Sequence, residues 1–205
     1  MKRIELCCHS KFDERGSVFG VEEILSAAEE NGAVGITDFG SISAWAALTK
    51  MAGSDRGFKM IFGLEAEVQF RNGSHTVTLL ARNSDGRNGI YRLMSHSVIT
   101  DEILFDECNR EGLLLGGDAE LLYAMETGAN DEELALLAEE YDFLLIDVCG
   151  NTPQQNSRLI NAGKQAGVPI AATCNPHYFS PDERNDYNVL IFGKNRLLRT
   201  TFPLR

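Results

Sequence analysis

Short apolar runs alternate with helix-patterned stretches along this chain, and that alternation constrains the fold more than any other feature. Strand-like runs fall at residues 3–7, 34–37, 59–62, 66–70, 75–80, 113–115, 143–148 and 169–173. Helical patterns fall at 21–30, 42–51, 86–96, 118–126, 131–140, 153–166 and 181–192. The punctuation agrees. Gly32, Gly128 and Gly167 follow helical stretches, where a left-handed closing residue is favoured. Ser41 precedes the second helix, and Ser180-Pro181 opens the last with a cap and a first-turn proline. Asp131-Glu132-Glu133 places acids in a first turn, where they favour the helix dipole. Repeated strand–helix alternation predicts an α/β domain with a mainly parallel sheet, covered by helices and closed or nearly closed into a barrel. The stretch 69–75 differs, because two strand-like runs flank Asn72-Gly73 in the pattern of a local hairpin.

At 205 residues the chain has the length of one domain, read as residues 1–196 followed by a C-terminal tail at 197–205. Such a chain buries a core without disulfide or metal staples. A formal net charge of −11, with no run of Lys or Arg, argues against long nucleic acid as a partner. The cysteines, Cys7, Cys8, Cys108, Cys149 and Cys174, are odd in number and scattered, as expected of reduced thiols rather than a secreted disulfide framework. Met1-Lys2-Arg3-Ile4-Glu5 lacks the apolar stretch of a leader, and no run approaches the ~20 apolar residues of a membrane span. These features predict a cytoplasmic, soluble protein with no membrane association.

The chemistry-bearing residues concentrate in four segments: Glu5-Leu6-Cys7-Cys8-His9-Ser10, Gly35-Ile36-Thr37-Asp38-Phe39-Gly40, Gly63-Leu64-Glu65-Ala66 and Cys174-Asn175-Pro176-His177-Tyr178. Each lies at or just past the end of an apolar run, where strand-borne ligands converge in an α/β fold. On an extended strand Cys7 and His9 share one face while Cys8 points the other way. A Cys-x-His pair is competent to bind metal, although a buried thiol beside a hydrogen-bonded histidine satisfies the same residues. Asp38 and Glu65 end apolar runs, where a carboxylate is costly unless it is paired, hydrogen-bonded or metal-bound. His177 follows another such run, with Pro176 predicted to hold Asn175 extended. Asn175 is a poorer zinc ligand than a carboxylate. His75 opens a strand after the Asn-Gly turn. For both histidines a hydrogen-bonded turn role is the alternative to ligation. His96 ends a helix, where its charge suits the dipole. The chain has no GxGxxG or Walker loop and no Ser-His-Asp arrangement, and Cys7, Cys8 and Cys149 lack neighbouring cations in sequence.

In order and spacing these segments resemble the PHP (polymerase and histidinol phosphatase) domain family, and within it the PHP region of the exonuclease-inserted type of bacterial DNA polymerase III α subunit. The family opening Glu-Leu-His-x-His-Thr is matched by Glu5-Leu6-Cys7-Cys8-His9-Ser10. Its Ile-Thr-Asp-His-Gly is matched by Ile36-Thr37-Asp38-Phe39-Gly40, and its Tyr-Gly-Leu-Glu-Ala by Phe62-Gly63-Leu64-Glu65-Ala66. His75-Thr76-Val77-Thr78-Leu79-Leu80-Ala81-Arg82-Asn83, Gly89-Ile90-Tyr91-Arg92-Leu93, Arg110-Glu111-Gly112-Leu113-Leu114 and Ala172-Thr173-Cys174-Asn175-Pro176-His177-Tyr178 extend the match over 5–196. The resemblance implies a distorted (β/α)7-type, TIM-barrel-like fold that gathers His and acidic ligands around divalent metals for phosphoester hydrolysis.

Departures from that pattern carry equal weight. Cys7 replaces the first His, Gly16 an Asp, Phe39 a His and Asn175 an Asp, while the ligand after the Gly-Leu-Leu strand aligns near Ala119. Asp13 or Glu14 stands close enough to Gly16 to substitute in part. The stretch 67–74 is too short for an exonuclease insertion, and nothing here follows the matching region to build a polymerase palm. The resemblance implies metal ligands at Cys7, His9, Glu65, His75, Asn175 and His177, with Glu65, His9 and Asp38 as catalytic candidates. Cys7, His9, Glu65 and Asn175 would form one damaged site, Glu65 and His75 the remnant of a second, and His177 the remnant of a third. The expectation is a stand-alone, degenerate PHP-domain protein with partial occupancy by a divalent metal (zinc or manganese) and little phosphoesterase activity. A protein partner would dock on its polymerase-type surface. The alternative is an active metal-dependent phosphoesterase, a hydrolase acting on a small phosphorylated substrate through a rebuilt site that adds Asp38 or Asp13. A sensing role for the adjacent Cys7-Cys8 pair is opposed by their opposite facing.

Overall fold

The structure, a computed structural model, describes residues 3–52, 57–107 and 111–201; Cys108 lies outside the described residues. The elements in chain order are α1 (Val21–Asn31), β1 (Ala33–Ile36), α2 (Ala44–Ala52), β2 (Lys59–Phe70), β3 (Gly73–Ala81), α3 (Ser84–Leu93), β4 (Ile99–Thr100), α4 (Asp101–Glu107), β5 (Leu113–Gly117), α5 (Ala119–Glu126), α6 (Asp131–Ala138), β6 (Phe143–Asp147), α7 (Pro153–Ala166) and β7 (Ile170–Thr173). A 3₁₀ turn at Pro181–Glu183 leads into α8 (Arg184–Thr201), which runs past the point where the sequence suggested a tail.

The strands form one mixed sheet in the order β1-β2-β3-β5-β6-β7, with β4 paired to the far part of β2. β3 runs antiparallel to both of its neighbours, and the remaining pairs are parallel. The reversal comes from the hairpin: Phe70 pairs with Gly73 and leaves Arg71-Asn72 as the turn. The two runs expected at 59–62 and 66–70 are one continuous strand, because Gly63 and Leu64 keep the ladder with Leu80 and Leu79. Helices cover the outer face, where Ile24, Leu48, Val68, Val77, Leu79, Ile90, Leu144 and Leu159 bury against one another. A smaller cluster of Cys7, Leu80, Phe143 and Leu145 fills the concave face. The result is a half-barrel of α/β type.

The segment expected as a strand at 3–7 lies beside β1 without forming a regular ladder. Gly35 N–H donates to Glu5 O at 2.7 Å, Cys8 N–H to Gly35 O at 3.1 Å and Thr37 N–H to Cys8 O at 3.0 Å. Between these bonds the Glu5 carboxylate accepts the N–H groups of Leu6 and Cys7 itself, which removes them from strand pairing. The expected parity nonetheless holds, with Cys7 in the concave cluster and Cys8 in the helix-facing core. The close approach depends on Gly35, since a Cβ there would stand 2.3 Å from Leu6 O. β4 and α4 were not anticipated from the sequence. Thr100 Oγ1 accepts Ile103 N–H at 3.3 Å and so starts α4 as a cap would.

Gly35→Ala should therefore force the N-terminal segment off β1. We expect a loss of about 1–3 kcal/mol, the usual range for overpacking against an immovable neighbour, read as a shifted urea midpoint with an unchanged slope. A neutral substitution would contradict the packing described.

Candidate metal centre

Segment 5–16, the ends of β1 and β7 and the middle of β2 meet at one end of the half-barrel, with His9 buried at the centre. His9 Nδ1 lies 2.8 Å from Asp13 Oδ2. Its Nε2 hydrogen-bonds Asn175 Oδ1 and stands 3.6 Å from Glu65 Oε1. Its ring stacks on that of His177 with centroids 4.4 Å apart, and His177 stacks in turn on Tyr187 of α8 at 5.3 Å. Asp13 is held by the chain around it: Oδ1 accepts Arg15 N–H at 2.7 Å and Gly16 N–H at 2.9 Å, and Oδ2 accepts Phe39 N–H at 2.6 Å. Asp38 accepts both the Ser10 N–H and, at 2.6 Å, the Ser10 hydroxyl.

One ligand atom each from His9, Asp13 and Asp38 lies within 4.8 Å of the others, a spacing that suits a shared metal ion. His177 Nδ1 is buried beside this group with no hydrogen-bond partner, an imidazole nitrogen left without the partner that burial demands. His9, Asp13 and Asp38 make a donor set that fits one hard or borderline divalent cation.

Charges in the site are strongly perturbed. Burial pushes Glu65 up to about 7, although His9 and Arg15 oppose it. Burial pushes Asp38 up to about 6 against the Ser10 hydrogen bonds. Asp13 resists its own burial because His9 and backbone N–H groups hold it down at about 2. Burial works against charge on His9 as well, yet the Asp13 hydrogen bond and the surrounding carboxylates raise it. Burial and the neighbouring His9 lower His177 to about 4, which keeps that ring neutral near pH 7.

A cavity of about 220 Å³ adjoins the centre, lined in part by Cys7, Glu65, Thr78, Asp118, Asp147 and Asn175. Arg15 crosses its mouth. The guanidinium stacks 3.5 Å over the Phe39 ring, donates to Thr76 Oγ1 at 2.8 Å and stands 4.0 Å from Glu65 Oε2. Phe39 thus acts as a platform for a fixed cation.

Of the residues singled out from sequence, His9, Asp38, Glu65, Asn175 and His177 converge here, and Cys7 lines the adjoining cavity. The Cys7 thiol is pushed well up by burial and then by Glu65. His75 is a correction. Glu65 pairs with Thr78, so Thr76, Thr78 and Leu80 share its face, while His75, Val77 and Leu79 face the helices. There His75 hydrogen-bonds Asn72 at 3.2 Å and meets the rings of Phe70 and Tyr123. Asn175 is a second correction: its φ is 48°, left-handed rather than extended. Thr173 Oγ1 accepts the Asn175 N–H at 2.8 Å and turns the chain so that the side chain reaches His9. Gly16 has φ of 114°, and a Cβ there would press on Ile191 and Leu190 of α8. The Gly16 N–H donates to Asp13 Oδ1, and Asp13 is the carboxylate that this loop brings to the cluster.

Sequence reasoning missed two further groups. Arg15 carries no motif or periodic signal in the sequence. Asp118 caps α5, lines the cavity and accepts from Asn151 Nδ2 at 3.1 Å; burial raises it to about 6. It ends the apolar β5 run just as Asp38 ends β1, so the same signal was available.

The fold is a half-barrel that brings strand-end His and carboxylate residues to one buried cluster. The family model described as the PHP domain matches residues 5–126, more than half of the chain, and the chain belongs to that family. The DNA polymerase III PolC-type of Staphylococcus aureus is 30% identical over 154 residues, covering 62% of this chain and 11% of that protein. The PolC-type polymerase of Clostridium perfringens is 26% identical over 152 residues, covering 58% of this chain and 10% of that protein. The chain thus spans about a tenth of the length of these relatives. Among solved structures, a proposed metal-dependent phosphoesterase from Bifidobacterium adolescentis superposes with a TM-score of 0.60 at 14% identity, covering 88% of this chain and 90% of that one. An amidohydrolase from Chromobacterium violaceum gives a TM-score of 0.63 at 11% identity, covering 88% of this chain and 89% of that one. These likenesses support the fold. No helix among the described residues is long and apolar enough to cross a membrane.

The shifts dictate how the metal-free protein responds to pH. Asp38, Glu65 and Asp118, raised to about 6, 7 and 6, bind more protons folded than unfolded between about pH 4 and 7. His9, also raised, acts in the same direction at the upper end of that window. His177, lowered to about 4, opposes them between about pH 4 and 6.5 as a single group. Stability therefore falls as pH rises through this window. In chelator, Tm should be higher near pH 5 than near pH 7.5, and Glu65→Gln should reduce the difference. A Tm that rises toward pH 7.5 would contradict the assigned network.

Proposed function

We propose that this PHP domain holds at most one divalent metal, has little phosphoesterase activity and serves mainly as a structural or regulatory module that associates with a protein partner. The supporting observation is Arg15. Hydrolysis of a phosphoester by metals calls for one cation to generate hydroxide and another to clamp the leaving oxygen. Here a guanidinium lies across the cavity, on Phe39 and toward Glu65. A guanidinium stays protonated and has no coordination position for water, so it balances acidic charge without activating a nucleophile. The protein-partner reading rests on the PolC-type relatives, in which the matching region is a small part of a large polymerase chain.

His9, Asp13 and Asp38 would hold the metal, zinc or manganese. Bound there, it would lower the pKa of water and polarise a phosphoryl oxygen. Around it, Asn175 would hold the His9 ring through Nε2–H and leave Nδ1, which lies 2.8 Å from Asp13 Oδ2, as the nitrogen that ligates, while Arg15 offers hydrogen bonds to an anion entering the cavity. One observation favours the alternative of an active phosphoesterase on a small phosphorylated substrate. Asp13 rebuilds the carboxylate lost at Gly16, and Glu65, raised to about 7, is poised to exchange a proton.

Elemental analysis after dialysis and reloading with zinc or manganese should give no more than one equivalent, falling at least tenfold in His9→Ala, with negligible turnover of phosphomonoesters. Two or more retained equivalents, together with hydrolysis that His9→Ala abolishes, would establish the alternative instead.

A further inference from the structure

Cys149 and Cys174 stand at the ends of adjacent parallel strands, outside the metal-ligand cluster. The register pairs Asp147 of β6 with Thr173 of β7, and Val148 N–H continues the ladder to Thr173 O at 3.0 Å. Asp147 Oδ1 then accepts the Cys149 N–H at 2.8 Å and turns that loop back toward the end of β7. Cys149 and Cys174 each follow directly on that Val148–Thr173 bond, at the ends of two strands that lie roughly 4.7–4.9 Å apart. Cys149 is exposed and Cys174 half-buried, and the neighbouring Cys174 thiol raises the Cys149 pKa. Arg3 completes the arrangement: its guanidinium pairs at 3.0 Å with Glu5 Oε2, the oxygen that also accepts the Cys174 N–H at 3.1 Å. Cys7 and Cys8 differ, being buried and facing opposite layers of the fold.

We propose that Cys149 and Cys174 form a reversible disulfide, making the rim of the half-barrel an oxidation-sensitive modification site whose co-substrate is a peroxide. The Cys174 sulfur attacks the O–O bond of hydrogen peroxide. An S–O bond forms, the O–O bond breaks, and the departing hydroxide leaves as water with the thiol proton. The Cys149 sulfur then attacks the resulting sulfenic sulfur. An S–S bond forms, the S–O bond breaks, and a second water leaves with the Cys149 proton. Two thiols are oxidised and one peroxide is reduced to two waters. Arg3 brings a cation to the Cys174 loop through the Glu5 oxygen that the two share. The bridge ties the loop that follows β6, with Asp147 and Asn151, to the loop that follows β7, with Asn175 and His177.

The full chain is treated with about one equivalent of hydrogen peroxide, digested without reduction and mapped by mass spectrometry. The expected product is a Cys149–Cys174 cross-linked peptide that dithiothreitol reverses. Cys149→Ser should instead accumulate a dimedone-reactive sulfenic acid at Cys174, and Arg3→Ala should slow cross-linking several-fold. Separate oxidation of Cys149 and Cys174, or preferential pairing of either with Cys7, Cys8 or Cys108, would overturn the proposal. An unchanged rate in Arg3→Ala would remove Arg3 from the step.

Discussion

The Glu5 carboxylate joins the two ends of the sheet, and the site depends on that junction. One oxygen accepts the N–H groups of Leu6 and Cys7 at 3.0 and 3.2 Å and the Thr173 hydroxyl at 2.6 Å. The other accepts the Cys174 N–H at 3.1 Å and Arg3 at 3.0 Å. A single carboxylate thereby fastens segment 5–9, which lies beside β1, to the end of β7. His9 N–H adds a bond to Pro176 O at 3.2 Å just beyond. Without this junction His9 and Asn175, far apart in sequence, would have no reason to meet. The cost is a regular strand, since the carboxylate takes the donors a ladder would use.

The same economy of charge governs the centre. Glu65, Asp38 and Asp118 are buried carboxylates in a chain of net charge −11, and burial raises all three. Asp13 keeps its charge because His9 and three backbone N–H groups solvate it. Arg15 supplies positive charge from the solvent side, on the Phe39 ring. Helix α8 secures this loop, with Lys194 Nζ donating to Glu14 O at 2.9 Å. The centre is thus largely self-compensated, with His177 Nδ1 as the polar atom left over.

Much of this was legible in the sequence. Helix α7 falls at the expected residues because Thr152, Pro153 and Gly167 mark both its ends. Opposite facing of Cys7 and Cys8 followed from strand parity alone, and the ends of apolar runs located His9, Asp38 and Glu65. What failed did so for local reasons. His75 shares a face with Val77 and Leu79, opposite Ser74, Thr76 and Thr78, and the pairing of Glu65 with Thr78 shows which of the two faces the site. Asn175 precedes a proline, a position that favours extended backbone, but the Thr173 hydroxyl and the reach to His9 select the left-handed form. Arg15 carries no periodic or motif signal, because its role arises from a loop folding over Phe39. Asp118 followed the strand-end rule, yet attention fell on its neighbour Ala119.

The most direct test of the central claim is anomalous diffraction from crystals soaked in manganese. The account predicts no more than one metal peak, bounded by His9, Asp13 and Asp38, with the Arg15 guanidinium still stacked on Phe39. Two or more peaks, with Arg15 displaced from the cavity and Glu65 bridging the ions, would contradict it.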